Sequence, residues 1–263
     1  MNLSGRSAIV TGGAGGLGAA TVEQLVDRGM HVVVLDRRPD DAVGVGVGVG
    51  VGAGGVALVA GDVNDDDDVR CAIARAGELG PLSVLVNVAG GAIGGGRVVS
   101  ADGVPHDMSS FARTMTINAT GTFNVSRLVA AAMAHNDPDD DGQRGVIVNT
   151  SSIAGYEGQR GQVAYAAAKA AILGMTLPMA RDLAPIGIRV CAIAPGPMAT
   201  PIMLRVIDQL DEDPSHGIVF PPRLGDPTEF AQLVLSIVDN PYLNGETIRL
   251  DGALRLAYDT DGG

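Results

Sequence analysis

Short apolar runs alternate along the chain with longer stretches of helical period. Ala8 to Val10 reads as a strand, followed by a glycine-rich turn and a helical pattern to about Arg28. Val32 to Leu35 is a second strand, ending at Asp36, and Val56 to Val59 a third. Asp65 to Leu79 is helical, and Val84 to Val88 a fourth strand. Ser109 to His135 carries one long helical pattern before a fifth strand, Gly145 to Thr150. Val163 to Leu183 is helical and Ile188 to Ile193 a sixth strand. Thr228 to Val238 is helical and Glu246 to Leu250 a last strand. Continuous Val/Ile/Leu runs separated by helices predict a doubly wound parallel α/β sheet covered on both faces. No linker interrupts the pattern, so residues 1–263 read as one domain.

One stretch breaks the rhythm. From Val43 to Gly55 valine and glycine alternate where a helix is expected. Glycine opposes helix and valine does not rescue it, so the stretch reads as a surface loop or as an extended ribbon at an edge.

Composition narrows the function classes. Hydrophobic residues make up 46% of the chain, enough for a large core. Aromatic content of 3% and a net charge of -12 argue against nucleic acid, which needs stacking platforms and a basic surface. Cys71 and Cys191 fall in no paired or metal-binding spacing, which predicts a reducing, cytoplasmic setting. No signal peptide is apparent, and no uninterrupted apolar run has the length of a membrane span. The four histidines are scattered and suggest no metal site. Asp137 to Gly142 matches the first half of a calcium loop, but its twelfth position would be Val148, where a bidentate Glu is needed. It reads as a solvated loop. Asp65 to Asp68 reads as a helix N-terminus that suits carboxylates.

Thr11 to Gly18, Thr-Gly-Gly-Ala-Gly-Gly-Leu-Gly, lies between the first strand and the first helix. Glycines there let the backbone approach a pyrophosphate, and the helix N-terminus supplies free N–H groups. Asp36 ends the second strand, where a carboxylate accepts from ribose hydroxyls and repels the 2′-phosphate of NADP. Arg37 and Arg38 follow and could hold such a phosphate, but the carboxylate favours NAD. Asp62, after the third strand, is placed either for the adenine edge or for a turn.

Tyr165 and Lys169 are four apart in a helical stretch and share a face. A lysine charge beside the phenol is expected to lower its pKa and fit it for proton exchange with an alcohol. Asn149-Thr150-Ser151-Ser152 ends the fifth strand, at the end of the sheet where ligands bind and a serine can hold a substrate oxygen.

With these motifs in order, the chain resembles the short-chain dehydrogenase/reductase family from end to end. Gly12, Gly16 and Gly18 match its glycine turn, and Asn87, Ala89 and Gly90 its Asn-x-Ala-Gly segment, with Val88 at the variable position. The resemblance places the active-site residues on Ser152, Tyr165 and Lys169, with Ser152 chosen over Ser151 because it lies 13 residues before Tyr165. It places the helix asparagine, which anchors a relay water, on Asn118. It assigns Pro195-Gly196 to the cofactor loop and Thr200 to the nicotinamide amide. Gly142 to Ile147, Tyr156 to Gln159, Gly174 to Pro178 through Ala184 to Arg189, Pro222 to Pro227, and Asn244 to Glu246 through Arg249 to Ala253 resemble the type II 3-hydroxyacyl-CoA dehydrogenase subgroup. That subgroup implies an NAD-dependent Rossmann-type enzyme, a homotetramer, acting on 3-hydroxyacyl-CoA and on some hydroxysteroids and secondary alcohols. It implies Gln162 in the substrate pocket, Gly15, Leu17, Asp36, Asp62, Val63, Val88, Met198 and Thr200 at the cofactor, and a substrate-covering lid at about 198–222. Asp208, Asp211, Glu212 and Asp213 depart from the subgroup there, and facing the entrance they would repel CoA phosphates. The competing readings are a 3-oxoacyl-carrier-protein reductase using NADPH, a hydroxysteroid or other secondary-alcohol dehydrogenase, and an idle dinucleotide-binding scaffold.

Overall fold

A computed structural model describes residues 1–38, 55–91, 95–207 and 215–256 of the protein. The Val/Gly repeat at 43–54 and the acidic residues Asp208 to Asp213 lie outside the described residues.

Seven parallel strands form one sheet. In chain order they are β1 Ser7–Thr11, β2 His31–Asp36, β3 Gly55–Ala60, β4 Leu82–Asn87, β5 Gly145–Thr150, β6 Ile188–Pro195 and β7 Thr247–Leu250. The helices are α1 Gly16–Asp27, α2 Asp66–Leu79, α3 Met108–Met115, α4 Gly121–Met133, α5 Val163–Leu183, α6 Pro201–Val206 and α7 Pro227–Asp239. Across the sheet the order is β3-β2-β1-β4-β5-β6-β7. The order therefore reverses between β1 and β4. At such a switch point the two crossovers leave in opposite directions and open a crevice at the strands' carboxyl ends. Thr11, Asp36, Asn87, Thr150 and Pro195 all sit at those ends.

The strands' two-residue period explains how both faces are filled. Ala8, Val10, Val32, Val34, Val84, Val86, Val146 and Val148 pack in one core with Val22 and Leu25 of α1 and Phe230 and Val234 of α7. Ile9, Val33, Leu35, Leu85 and Ile147 point the other way, onto Val69 of α2, Val125 and Val129 of α4, and Met179 of α5.

One expectation needs correction. Ser109 to His135 is not one helix: α3 and α4 are separated by a π-helical segment, Thr116–Thr120. The start of α3 is fixed by Asp107, whose carboxylate accepts from the N–H of Ser109 and Ser110. One segment, interrupted by Lys169, Arg181 and Asp182, nevertheless meets the length of a membrane span. Val163–Ile186 is long and apolar enough by length and composition. In the fold this stretch packs one face on the sheet and buries the charged Lys169, as a core helix does.

Candidate active site

The cofactor side of the site hangs on the strand ends. Beyond β1 the chain turns through Gly12, whose φ is +67°, into α1. A Cβ on Gly12 would press on the backbone of Ala89, and one on Gly18 would strike the Gly12 carbonyl. These contacts bring α1 close against the sheet, as a dinucleotide cradle requires. The N-cap of α1 is Gly15, extended and with no side-chain cap, and no acidic residue occupies the first turn. First-turn N–H groups without a cap are donors for an anion. The residues present therefore fit a pyrophosphate.

Asp36 closes this end. Its Oδ2 accepts from the Ala14 N–H at 3.3 Å and its Oδ1 from the Arg38 N–H at 3.1 Å, so the carboxylate is held beside the glycine turn. Asp62 takes the turn role, Oδ1 accepting from both the backbone and side-chain nitrogens of Asn64. Val63 is buried against the start of α4 at Gly121. Thr11, which sequence reading passed over as one letter of a motif, ties the sheet to the cradle. Its Oγ1 accepts from the N–H of Val88 and of Ala89, both at 3.1 Å. Leu17 and Val88 pack against the core below. On the far side Thr200 caps α6, Oγ1 accepting from Met203 at 3.3 Å, and stands against Gly16. Met198 is buried beside Gly225, and Gly196 donates to the Leu250 carbonyl at 2.9 Å.

The catalytic candidates converge on α5. Tyr165 and Lys169 are one turn apart, and the Lys169 Nζ stands 5.7 Å from the Tyr165 ring centroid. Lys169 is 4% exposed and its Nζ donates to the Thr150 carbonyl at 3.0 Å. Burial without a carboxylate partner brings its pKa down to about 8. Tyr165 does not follow the expected direction. Burial pushes its phenol up, and the hydrogen bond with Ser152 opposes this only in part. Desolvation of the phenolate outweighs the lysine charge at that distance.

The two serines have separate tasks. Ser151 is buried and its Oγ donates to the Lys169 carbonyl at 2.8 Å, which fastens α5 to β5. Ser152 is the one at the phenol. It is extended, and its Oγ accepts from the Ala154 N–H at 3.1 Å, capping a short 3-10 turn, Ile153–Gly155. Asn118 lies in the π-helical segment and is fully buried. Its Nδ2 donates to the carbonyls of Gly91 and Thr114, and its Oδ1 accepts from the Gly91 N–H at 3.0 Å. A side chain on Gly90 would collide with this amide and would reach toward Lys169. Asn118 thus braces the Gly90–Gly91 backbone beside the lysine. Gln162 stands apart from this cluster: it is the N-cap of α5, and its Nε2 donates to Gln159 at 3.3 Å on an exposed face.

An oriented Ser/Tyr/Lys/Asn cluster facing a dinucleotide cradle is the arrangement of an alcohol–ketone oxidoreductase. A family model described as short chain dehydrogenase matches residues 6–211. The chain belongs to the short-chain dehydrogenase family. It is an oxidoreductase, as that family is. The chain is 47% identical to the 3-hydroxyacyl-CoA dehydrogenase type-2 of Homo sapiens over 256 residues, 97% of either chain. It is similar to the solved structure of 3-hydroxyacyl-CoA dehydrogenase type-2 from Mycobacterium avium, with TM-score 0.91 and 45% identity, covering 98% of this chain and 100% of that one. A 3-oxoacyl-acyl-carrier-protein reductase of Vibrio cholerae stands further off within the short-chain dehydrogenases, at 31% over 259 residues, 97% of this chain and 99% of the relative.

Below the short-chain dehydrogenase cluster runs a buried polar ladder that the sequence did not announce. Asn87 Nδ2 donates to Ser126 Oγ at 3.0 Å and to Asn149 Oδ1 at 2.9 Å, while Ser126 donates to Thr122. The only signal for it was polar letters at the ends of β4 and β5. It joins three elements under the site, where side chains of fixed geometry keep the strand ends in register.

Proposed function

We propose that this chain interconverts 3-hydroxyacyl-CoA and 3-oxoacyl-CoA with NAD. The observation that carries the reaction is Ser152 and Lys169 set around a half-buried Tyr165. The likeness to the 3-hydroxyacyl-CoA dehydrogenases supports the substrate class. Asp36, fixed at the turn by Ala14, supports NAD over NADP, because a 2′-phosphate there meets a carboxylate.

Nicotinamide, when bound, supplies the hydride acceptor or donor. The chain's own groups handle the oxygen and the proton. Ser152 and Tyr165 hold the substrate oxygen. A phenol kept neutral by burial donates its proton to a ketone oxygen, and in the reverse direction the phenolate takes the proton of the alcohol. Lys169 supplies positive charge beside the phenol and a donor for the ribose. Asn118, with both Nδ2 protons engaged by main-chain carbonyls, serves the proton relay by shaping the pocket wall and not by donating to a water. The first-turn N–H groups of α1, with Gly12, Gly15, Gly16 and Leu17, receive the pyrophosphate. Asp62, Val63, Val88, Ala89, Gly90, Pro195, Gly196, Met198 and Thr200 line the rest of the cofactor's path, and Gln162 the mouth of the substrate pocket.

The working form in this reading is a cytoplasmic homotetramer acting on small molecules, with neither nucleic acid nor membrane as partner. An apolar groove of about 700 Å³ along α5, with Val98, Val99 and Val163 exposed, supports the contact between copies. Free Cys71 and Cys191 suit a reducing compartment. The test is oxidation of NADH by the purified protein with acetoacetyl-CoA, beside NADPH. Turnover with NADH alone is expected. Absence of turnover with either cofactor rejects the acyl-CoA substrate, and a preference for NADPH rejects the Asp36 argument.

A further inference from the structure

The loop that succeeds Ser152 is held from outside the site. After the 3-10 turn, Tyr156 and Glu157 both donate their N–H to the Ile153 carbonyl, at 2.9 and 3.0 Å. Glu157 then reaches across to β7 and the chain beyond it. Its Oε1 accepts from Arg249 Nη1 at 2.8 Å. Its Oε2 accepts from Arg249 Nη2 at 3.2 Å and from the Leu256 N–H at 2.9 Å. The fork is bidentate, and the guanidinium also lies 5.2 Å from the centroid of the Tyr156 ring. Arg249 is only 20% exposed and carries a second load: its Nε donates to Asp251 at 2.7 Å and its Nη2 to the Leu254 carbonyl at 2.9 Å. Asp251 is 7% exposed, and its Oδ1 accepts from the Ala253 N–H.

The turn fixed in this way, residues 251–256, also touches residues 218–220. The Gly252 carbonyl accepts from Val219 at 3.0 Å and Phe220 at 3.2 Å, on the chain returning from α6. Ile218 of that return packs with Ile153 and Leu254 in a small core of its own. One turn therefore contacts both the 3-10 turn that follows Ser152 and the 218–220 segment.

We propose that Glu157 is a positioning residue: through Arg249 it locks the Ser152 turn to residues 251–256 and so sets the serine and the 218–220 segment as one unit. A bidentate charged pair fixes orientation as well as distance, which suits that task. The proposal rests on the oxidoreductase reading of the site. Glu157 touches no reacting atom, and its effect passes through Ile153–Gly155 to the Ser152 hydroxyl.

The test compares wild type with Glu157→Gln and Glu157→Asp in the full chain. Glu157→Gln keeps the shape and an acceptor for Leu256, so it is expected to fold. Amide exchange should quicken at Tyr156 and Glu157 and also at Val219 and Phe220, with β1 unchanged. With acetoacetyl-CoA, kcat should fall about tenfold or more, as for a misplaced catalytic group, while the NADH Kd holds. Glu157→Asp, which keeps the charge, should recover part of both. A merely stabilising ion pair lowers Tm and moves neither reading. Unchanged exchange at Val219 and Phe220, or a normal kcat, overturns the proposal. Should wild type show no turnover, the functional reading fails, and the exchange pattern alone still decides the lock.

Discussion

Lys169 offers a sharp test because burial sets it against stability. Its pKa falls from 10.5 to about 8, so the folded chain holds the proton less tightly than the unfolded one. Below pH 8 both states carry the proton and the whole penalty, about 3 kcal/mol, is in force. As pH rises toward 10.5 the folded lysine is neutral while the unfolded one is still charged, so the penalty lifts and stability rises. By pH 10 roughly 2–3 kcal/mol should have returned. The perturbation is Lys169→Met, which has no proton to lose. Its loss of the bond to the Thr150 carbonyl is a constant offset across the range. The measurement is urea unfolding of both proteins at steps from pH 7 to pH 10, followed by circular dichroism. Stopping at pH 10 keeps Tyr165 out of the difference, because burial raises its pKa and it stays neutral in both folded chains. The stability of wild type relative to the variant should be flat to pH 8 and then climb. Parallel curves would refute the claim that Lys169 is buried as a strained cation. The same variant should lose most turnover at pH 7, so the site keeps this lysine against the interest of the fold.

Tyr165→Phe should lower kcat by about 10²–10⁴-fold, with the NADH Kd by fluorescence within twofold of wild type; near-normal turnover would dismiss Tyr165 as the proton donor. Asp36→Ser removes a charged acceptor from the glycine turn, and should shift the NAD to NADP preference by about 10-fold or more, read as the ratio of kcat/KM values. Gly18→Ala places a methyl on the Gly12 carbonyl, so NADH binding should be lost even where the chain still folds by circular dichroism. Ser151→Ala should lower Tm through the lost bond to the Lys169 carbonyl, whereas Ser152→Ala should lower kcat and leave Tm within a few degrees; the reverse pattern would exchange the two assignments.

The strands were legible because each is a run of β-branched residues with turn signals at both ends, and buried parallel strands need nothing more. The glycine turn was legible because a strand and a helix flank it. The π-helical segment was not: Thr116 to Thr120 carry no composition that separates them from ordinary helix, and their geometry comes from the packing of Asn118 on Gly91. The direction of the Tyr165 shift was also hidden. Spacing places Lys169 on the same face, but only coordinates show how deeply the phenol is buried. The pairing of Glu157 with Arg249 joins positions 92 residues apart, and no local pattern reports such a contact.

The π-helical segment has a meaning at the level of the gene. It acts as a phase shifter between α3 and α4, since an inserted residue turns the downstream helix by about 100° relative to a regular one. A three-nucleotide deletion anywhere within codons 116–120 would let the whole stretch wind into one ordinary helix. The result would be a comfortable helix and a ruined register, with either Asn118 or the core face of α4 rotated away from its neighbours. Length in this stretch is therefore constrained more tightly than its letters, and a change in length between otherwise similar chains would mark a lost activity sooner than most substitutions.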